Sequence, residues 1–299
     1  MAERPRVSVF VTCYNCAGHI RGTVQAILNN DFPDFELLLA EGGSNDNTLD
    51  ILEGLAARDP RVRVLGGLPA PQAPKMNAML RAARGELLVL CDDDCTASQG
   101  WIRAYVEGSA QWPGMLAGRV LPMGTGIPMG VKRSTKVELW RPSFYNKAMP
   151  WRRCRGLNFA IPAAIARSVG GWDDSANYAL DIDFALRVML AGHTIVYLPD
   201  ALAYHQTVPD WATRIRKRGH YAWALMYLMR TKYPRKLHAW CSVGIAFGWW
   251  IGTLFAGLLT LSPNRVRQGA AWIRGGLRGL FGPPPTGGRN SAPAPSAKP

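Results

Sequence analysis

Cysteine is scarce in this chain, with six residues among 299. That is too few for a secreted disulfide scaffold, so reduced thiols in the cytosol are expected. The first residues, MAERPRVSVFVTCYN, lack a basic stretch followed by an apolar run, and no signal peptide is expected there. Acidic residues are also short, 21 against 35 Lys and Arg, giving a net charge of +14. Such a balance favours anionic partners: nucleic acid, a nucleotide substrate or an acidic membrane surface. The chain has no internal repeat and no histidine-rich cluster, and with 48% apolar residues it has enough for a real core.

RVSVFVTCYN reads as a strand buried on both faces. A helix is expected over 18–29, a second strand in FELLLAEGGSNDNT with its helix in TLDILEGLAARD, and a third strand in RVRVLGG. PKMNAMLRAARG supplies another helix and ELLVLCDDD a fourth strand. This alternation predicts an α/β protein with a mostly parallel sheet flanked by helices. Ligands in such sheets bind beyond the carboxyl ends of the strands. Tyr14–Asn15, Glu41–Gly42–Gly43 and Asp92–Asp93–Asp94 all fall there. The region 121–155, rich in Gly, Pro, Met and Arg, is expected to form loops and short strands lining a second site. LDIDFALRVMLAGH then reads as an amphipathic helix and TIVYLPD as a further strand.

Residues 240–261 carry no charge over 22 positions, a length that crosses a bilayer core of about 30 Å. An in-plane or hairpin insertion fits equally, and a buried core helix is the competing reading. Gly244, Gly248 and Gly252 form a small-residue stripe suited to close helix packing or homo-oligomerisation. Basic residues flank both ends, so charge does not fix an orientation. Residues 262–281 read as an interfacial helix, though one weakened by its glycines, and 282–299 as a disordered tail. The basic–aromatic segment 211–239, with Arg216 and Arg218, suits either diphosphate or anionic headgroup contact, or is simply a solvated basic face. Because the basic residues gather around this region rather than on a recognition helix, nucleic acid is not an expected partner.

Two carboxylates spaced Asp-x-Asp at a strand end can hold Mg²⁺ or Mn²⁺ and so neutralise a diphosphate. Asp92 and Asp94 have that spacing. The pairs Cys13/Cys16 and Cys91/Cys95 admit a zinc reading, but cysteines at buried strand ends more often act as small apolar residues.

Taken together, VSVFVTCYN, EGGSNDNT, KMNAMLRAARGELLVLCDDD, RGLNFAIPAAIARSVGGWDD and LDIDFALRVMLAGHTIVYLPDALAYH resemble a membrane-associated family 2 glycosyltransferase of the GT-A fold, over about residues 6–206. The resemblance implies a catalytic domain at 1–210. Within it, about 1–100 would bind the nucleotide-sugar, and about 101–210 would carry the acceptor side and catalytic base. A membrane-associated helical region would follow, with the catalytic domain on the cytoplasmic side. It further implies that Tyr14, Asn15, Glu41, Ser44, Asp46, Lys75, Asn77 and Asp93 lie along the nucleotide-sugar. Asp92, Asp94 and His205 would hold Mn²⁺ or Mg²⁺. Gly156, Asn158 and Asp183 would face the acceptor, and Asp181 would be the general base of an inverting transfer. The expected partners are a nucleotide-diphosphate sugar and a lipid-linked saccharide, glycolipid or other glycan acceptor.

Two positions depart from the family pattern. Leu180 stands where an acid usually precedes the base, and Gly42 where the second Asp of an Asp-Asp-Gly-Ser turn is usual. Those departures keep open a rival reading, a catalytically inactive nucleotide-sugar-binding membrane scaffold. A nucleotidyltransferase would need a glycine-rich basic N-terminal signature, which is missing. Asp181 also has a plainer reading, as an acid that favours a helix N-terminus.

Overall fold

The computed structural model describes residues 4–124, 134–147, 158–174, 179–208 and 210–285. Its first half alternates β1 (Val7–Cys13), α1 (Ile20–Leu28), β2 (Phe35–Glu41), α2 (Thr48–Ala56), β3 (Val62–Leu65), α3 (Gln72–Ala82) and β4 (Leu87–Asp92). These strands pair in parallel, in spatial order β3-β2-β1-β4, with Val7 level with both Phe35 and Leu87. β2 is buried at all seven positions, as a strand covered on both faces must be. Side chains alternate across the sheet. Val7, Val9 and Val11 enter one apolar core, while Phe10, Leu88 and Leu90 enter the core on the other face.

The second half reverses direction. It contains β5 (Cys95–Ala97), α4 (Trp101–Gln111), β6 (Met115–Met123), β7 (Glu138–Trp140), α5 (Phe144–Lys147), β8 (Asn158–Pro162), α6 (Ala163–Ser168), α7 (Leu180–Leu190) and β9 (Ile195–Gln206). β8 runs antiparallel to β4 and to β6, whereas β6 and β9 are parallel. The strand expected at TIVYLPD continues to Gln206, making β9 twelve residues long. A register shift at Gly118/Arg119 lets its two ends serve different neighbours. Ile195–Tyr197 pair with β7, and Ala203–His205 pair with β5. That second pairing sets His205 directly opposite Cys95.

Three long helices complete the described chain: α8 (Trp211–Lys232), α9 (Leu237–Leu259) and α10 (Pro263–Phe281). The second half of α8 is buried, with Leu225, Met226, Leu228 and Met229 joining the same core as Phe10 and Phe159. α9 is long and apolar enough to cross a membrane and is largely exposed. α10, the helix read as interfacial, packs one face between its neighbours, and its glycines form that packing face. A Cβ on Gly275 would strike the Gly219 carbonyl, one on Gly279 the Trp223 carbonyl, and one on Gly276 the Trp250 ring. By contrast, nothing lies within 4 Å of a Cβ on Gly244, Gly248 or Gly252. The stripe that suggested close packing is therefore not where these helices meet. Of the expected tail, residues 286–299 lie outside the described residues.

A polar joint ties the helices to the sheet domain. Asp183 on α7 is fully buried and accepts from Arg187 Nε at 2.9 Å, Lys232 Nζ at 2.9 Å and the Tyr233 hydroxyl at 2.7 Å. Lys232 also bonds Asp173 at 2.7 Å. Burial, and then the Asp183 carboxylate, push the Tyr233 phenol well above its ordinary pKa.

Candidate active site

The loops after β1 and β2 meet at the carboxyl end of the sheet. Asn15 takes a positive φ of 49°, which asparagine tolerates, and so turns its side chain toward the second loop. Its N–H donates to Ser44 Oγ at 2.9 Å, and its Oδ1 accepts from Asn45 N–H at 2.9 Å. Cys16 N–H donates to Thr48 Oγ1 at 2.9 Å, and Ala17 N–H to Asp46 Oδ2 at 3.2 Å. Asn15, Ser44 and Asp46 thus fasten the two loops to each other.

Glu41 closes its own turn, accepting from Gly43 N–H at 3.0 Å and Ser44 N–H at 2.6 Å. Burial alone would raise its pKa. The Ser44 and Gly43 donors, with Lys75 nearby, outweigh burial and hold the carboxyl below its ordinary value. Asp46 behaves alike, its burial outweighed by Thr48 and the Ala17 N–H.

Lys75, on α3, is buried and donates to the Cys13 carbonyl at 3.2 Å, with the Tyr14 ring 5.6 Å away. Burial pulls its ammonium below the ordinary lysine value, while the charges of Asp93 and Glu41 work against that. A Cβ at position 42 would sit 2.6 Å from Lys75 Nζ. That atom is the mobile end of a long side chain, so the close approach of Gly42 and Lys75 does not by itself explain the departure. Leu180, the other departure, packs against the apolar core.

The acidic cluster is divided among three places. Asp92 ends β4 and is buried. Asp93 lies 4.0 Å from His19 Nε2, and its carboxylate holds the imidazole pKa above the ordinary value despite partial burial. The Asp93 carbonyl accepts from Thr23 Oγ1 at 2.6 Å. Asp94 Oδ1 is buried, has no hydrogen-bond donor among the described residues, and faces His205 Nε2 at 3.4 Å. Donor atoms of Asp94, Cys95 and His205 all lie within 4.8 Å of one another. An oxygen left without a donor beside an imidazole fits a divalent cation, for which carboxylate and imidazole are natural ligands. Asp92 is not one of those three converging donors.

The four cysteines do not form a common metal cluster among the described residues. Each is buried without a disulfide, and Cys13 and Cys95 are held protonated by contact with Cys16 and Cys91 and by burial.

Several expected site residues spend their side chains internally. Asn77 donates to the Trp172 carbonyl and to Asp174 Oδ1, each at 2.7 Å, and accepts from Trp172 N–H at 2.8 Å. Asn158 accepts from Trp101 Nε1 and the Tyr105 hydroxyl at 2.7 Å each, and donates to the Arg119 and Ala201 carbonyls at 2.9 Å each. Asp183 is the joint described above rather than an open acceptor-side group. Gly156 lies outside the described residues. Asp181, half-buried, sits in the first turn of α7, which opens from Ala179 at a φ of 50°. Arg216 is exposed on α8, and Arg218 lies 5.8 Å from the Trp272 ring. Sequence reasoning passed over His19 and gave Cys95 no place beside His205. Both depend on strand and loop pairings that no local motif announces.

A parallel four-strand half with its ligand loops at the carboxyl ends, joined to an antiparallel half that carries a histidine beside an acidic turn, is the GT-A class of α/β architecture. The fold is shared with the mannosyltransferase PcManGT from Pyrobaculum calidifontis, solved in complex with GDP-Man and Mn²⁺. The TM-score is 0.64 at 20% identity, over 94% of this chain and 88% of that one. It is shared also with S. aureus TarS 1–349 in complex with UDP-GlcNAc, at TM-score 0.57 and 14% identity over 91% of each chain.

The chain belongs to glycosyl transferase family 2, whose sequence model matches residues 8–165. A second, Glycosyl transferase family group 2, matches 90–275. Among curated relatives, the probable glycosyltransferase YdaM of Bacillus subtilis is 25% identical over 243 residues, covering 77% of this chain and 57% of that protein. A chondroitin synthase of Pasteurella multocida is 34% identical over 90 residues, 30% of this chain and 9% of that protein. The chain thus spans between about a tenth and three-fifths of these relatives.

Proposed function

We propose that the protein transfers a sugar, with inversion, from a nucleoside diphosphate sugar to a hydroxyl of a lipid-linked saccharide or glycolipid at the cytoplasmic face of a membrane. The observation that carries this reading is the facing pair Asp94 and His205, 3.4 Å apart beside the pinned loops of β1 and β2. Asp94 and His205, with Asp92 at the strand end, are the residues to hold Mn²⁺ or Mg²⁺. Bound there, the cation supplies charge compensation for the leaving diphosphate. Lys75, beneath the Tyr14 ring, adds a fixed positive charge to the same crevice. Tyr14, Asn15 and Glu41 line the nucleotide side, where Glu41 retains lone pairs for a base N–H beyond the two it already accepts. Asp181 takes the proton of the acceptor hydroxyl as its oxygen attacks the anomeric carbon and the bond to the diphosphate breaks. One C–O bond forms as another is lost, and no covalent enzyme intermediate is needed.

The reading is tested by calorimetric titration of the detergent-solubilised protein with UDP and GDP, with and without Mn²⁺, beside Asp94→Ala. Metal-dependent binding that falls at least tenfold in the variant supports the donor site and identifies the base. Absence of binding in the presence of Mn²⁺ sinks it. Binding without sugar transfer to any lipid-linked acceptor would favour the inactive scaffold.

A further inference from the structure

We propose that α9 and the outer face of α10 lie flat in the surface of an anionic membrane, and that neither helix crosses it. This deepens the proposed function by stating how the chain meets the membrane. It rests on that reading for its location only, since vesicle binding is measured without a nucleotide.

α9 has the length and composition of a spanning helix. Its surroundings exclude that use. Ala239, Ala246 and Trp250, along one side of α9, belong to the core that also holds Phe10 of β1. The second half of α9 runs antiparallel to α10. A Cβ on Gly257 would meet Val266, one on Gly269 would meet Leu254, and one on Gly276 would meet Trp250 and Phe247. To cross a bilayer, α9 would have to leave that core or carry α10 with it. α10 holds Arg265, Arg267, Arg274 and Arg278, all of them exposed. Four arginines inside hydrocarbon are strongly unfavourable. Lying in the surface keeps every packing contact and leaves the arginines at the water boundary.

The open side of the two helices suits that placement. Trp249, Phe255, Leu258 and Leu259 of α9 are each more than half exposed. α10 extends this plane. Its Gly269 and Gly276 turn toward α9, and its Gly275 and Gly279 toward α8. At about 3.6 residues per turn, Leu277 then falls on the outer face beside α9, with Phe281 at the middle of that face. Arg267, Arg274 and Arg278 fall on the outer face toward α8. Leu277 and Phe281 are both exposed. An apolar plane is thus bordered by a basic row, the division that an interfacial helix presents to acyl chains and anionic headgroups.

So many large apolar side chains on one face mark an interaction surface. Charge decides its occupant. A second copy docked on the same plane would bring together two chains of net charge +14, with their arginine rows at the rim. An anionic bilayer covers the apolar plane and neutralises the row at once. Both ends of α9 then stay on the side of the membrane that holds the sheet domain.

The test is sedimentation of the full chain, freed of detergent, with vesicles of phosphatidylcholine alone or mixed with phosphatidylglycerol. Partitioning into the anionic vesicles is expected to be at least tenfold stronger. Phe255→Asp/Leu258→Asp and Arg267→Ala/Arg274→Ala are each expected to lower it at least tenfold, and a wild-type melting curve by circular dichroism shows each variant folded. Topology is read in sealed inside-out membrane vesicles of the expression host, from Lys236→Cys and Ser262→Cys, one at each end of α9. A membrane-impermeant thiol reagent is expected to label both above the wild-type background. Equal partitioning into neutral vesicles, unchanged partitioning of both folded variants, or labelling of one end alone overturns the proposal. So does a stable dimer that leaves the vesicles unbound, which assigns the plane to a second copy. UDP and GDP with Mn²⁺ are titrated into the same samples. Vesicle binding without nucleotide binding removes the donor site and leaves the docking plane standing. Nucleotide binding without vesicle binding overturns the plane alone.

Discussion

The crevice of the sheet and the layer of helices both concentrate charge, but they hold it by different means. In the crevice, Glu41 is fixed by backbone N–H groups of its own turn, and Asp46 by the Thr48 hydroxyl and the Ala17 N–H of the facing loop. In the helical region, arginines lie against tryptophan faces, and the helices touch through glycines. Hydrogen bonds to a carboxylate specify direction, so the loops have one arrangement. Stacking and glycine contact specify closeness and leave the exposed apolar face open. The first suits a site for a polar nucleotide, the second a close-packed helical layer with one apolar face left open. Asp183 is the joint between the two regions, and it is the place to test their independence.

Removing that joint has the largest expected effect. Asp183→Ala leaves Arg187 and Lys232 without their buried partner and should destabilise by about 3–5 kcal/mol. Thermal unfolding should then separate into two transitions if the regions are held together chiefly here. A single transition of unchanged midpoint would show that apolar packing alone couples them. The Tyr233 phenol, relieved of the neighbouring carboxylate, should titrate at lower pH in the variant, which ultraviolet absorbance can follow.

Next, Gly275→Val drives a side chain into the Gly219 carbonyl and should cost about 3 kcal/mol by overpacking. The loss should fall on the helices, leaving UDP or GDP binding within twofold. Equal damage to both would remove the distinction between the regions.

Glu41→Gln should cost about 1.5 kcal/mol at neutral pH, the worth of hydrogen bonds to a charged acceptor. Because the native Glu41 pKa is lowered, its contribution is present above the ordinary glutamate value and fades as pH falls through the native one. Wild type and variant should therefore converge in stability as the pH falls from the ordinary glutamate value through the lower native one. A difference that stayed constant until both forms unfolded in acid would contradict the assignment.

The smallest effect is expected at the exposed stripe. Gly244→Ala meets no neighbour and should stabilise α9 by up to about 1 kcal/mol through helix propensity. Destabilisation there would reveal a contact that the chain makes with something else.

The sequence alone determined the class of fold. Apolar runs of seven residues ending in polar turns, separated by amphipathic helices, specify buried parallel strands because burial on both faces admits little else. It determined that α9 is apolar enough for a membrane, and it marked the acidic turn after β4. It could not say which polar side chains were free for ligands, because that depends on partners distant along the chain. Asn158 is engaged by Trp101, Tyr105, Arg119 and Ala201, and Asn77 by Trp172 and Asp174. Nor could it say that Gly42 lies against Lys75, 33 positions away. Periodicity reported the glycines of α9 and undervalued those of α10, since a stripe records spacing and not what stands opposite. The pairing of β5 with the far end of β9 was the decision that mattered most. It set His205 beside Asp94, and only the register of two strands over a hundred residues apart could bring those two donors to one point.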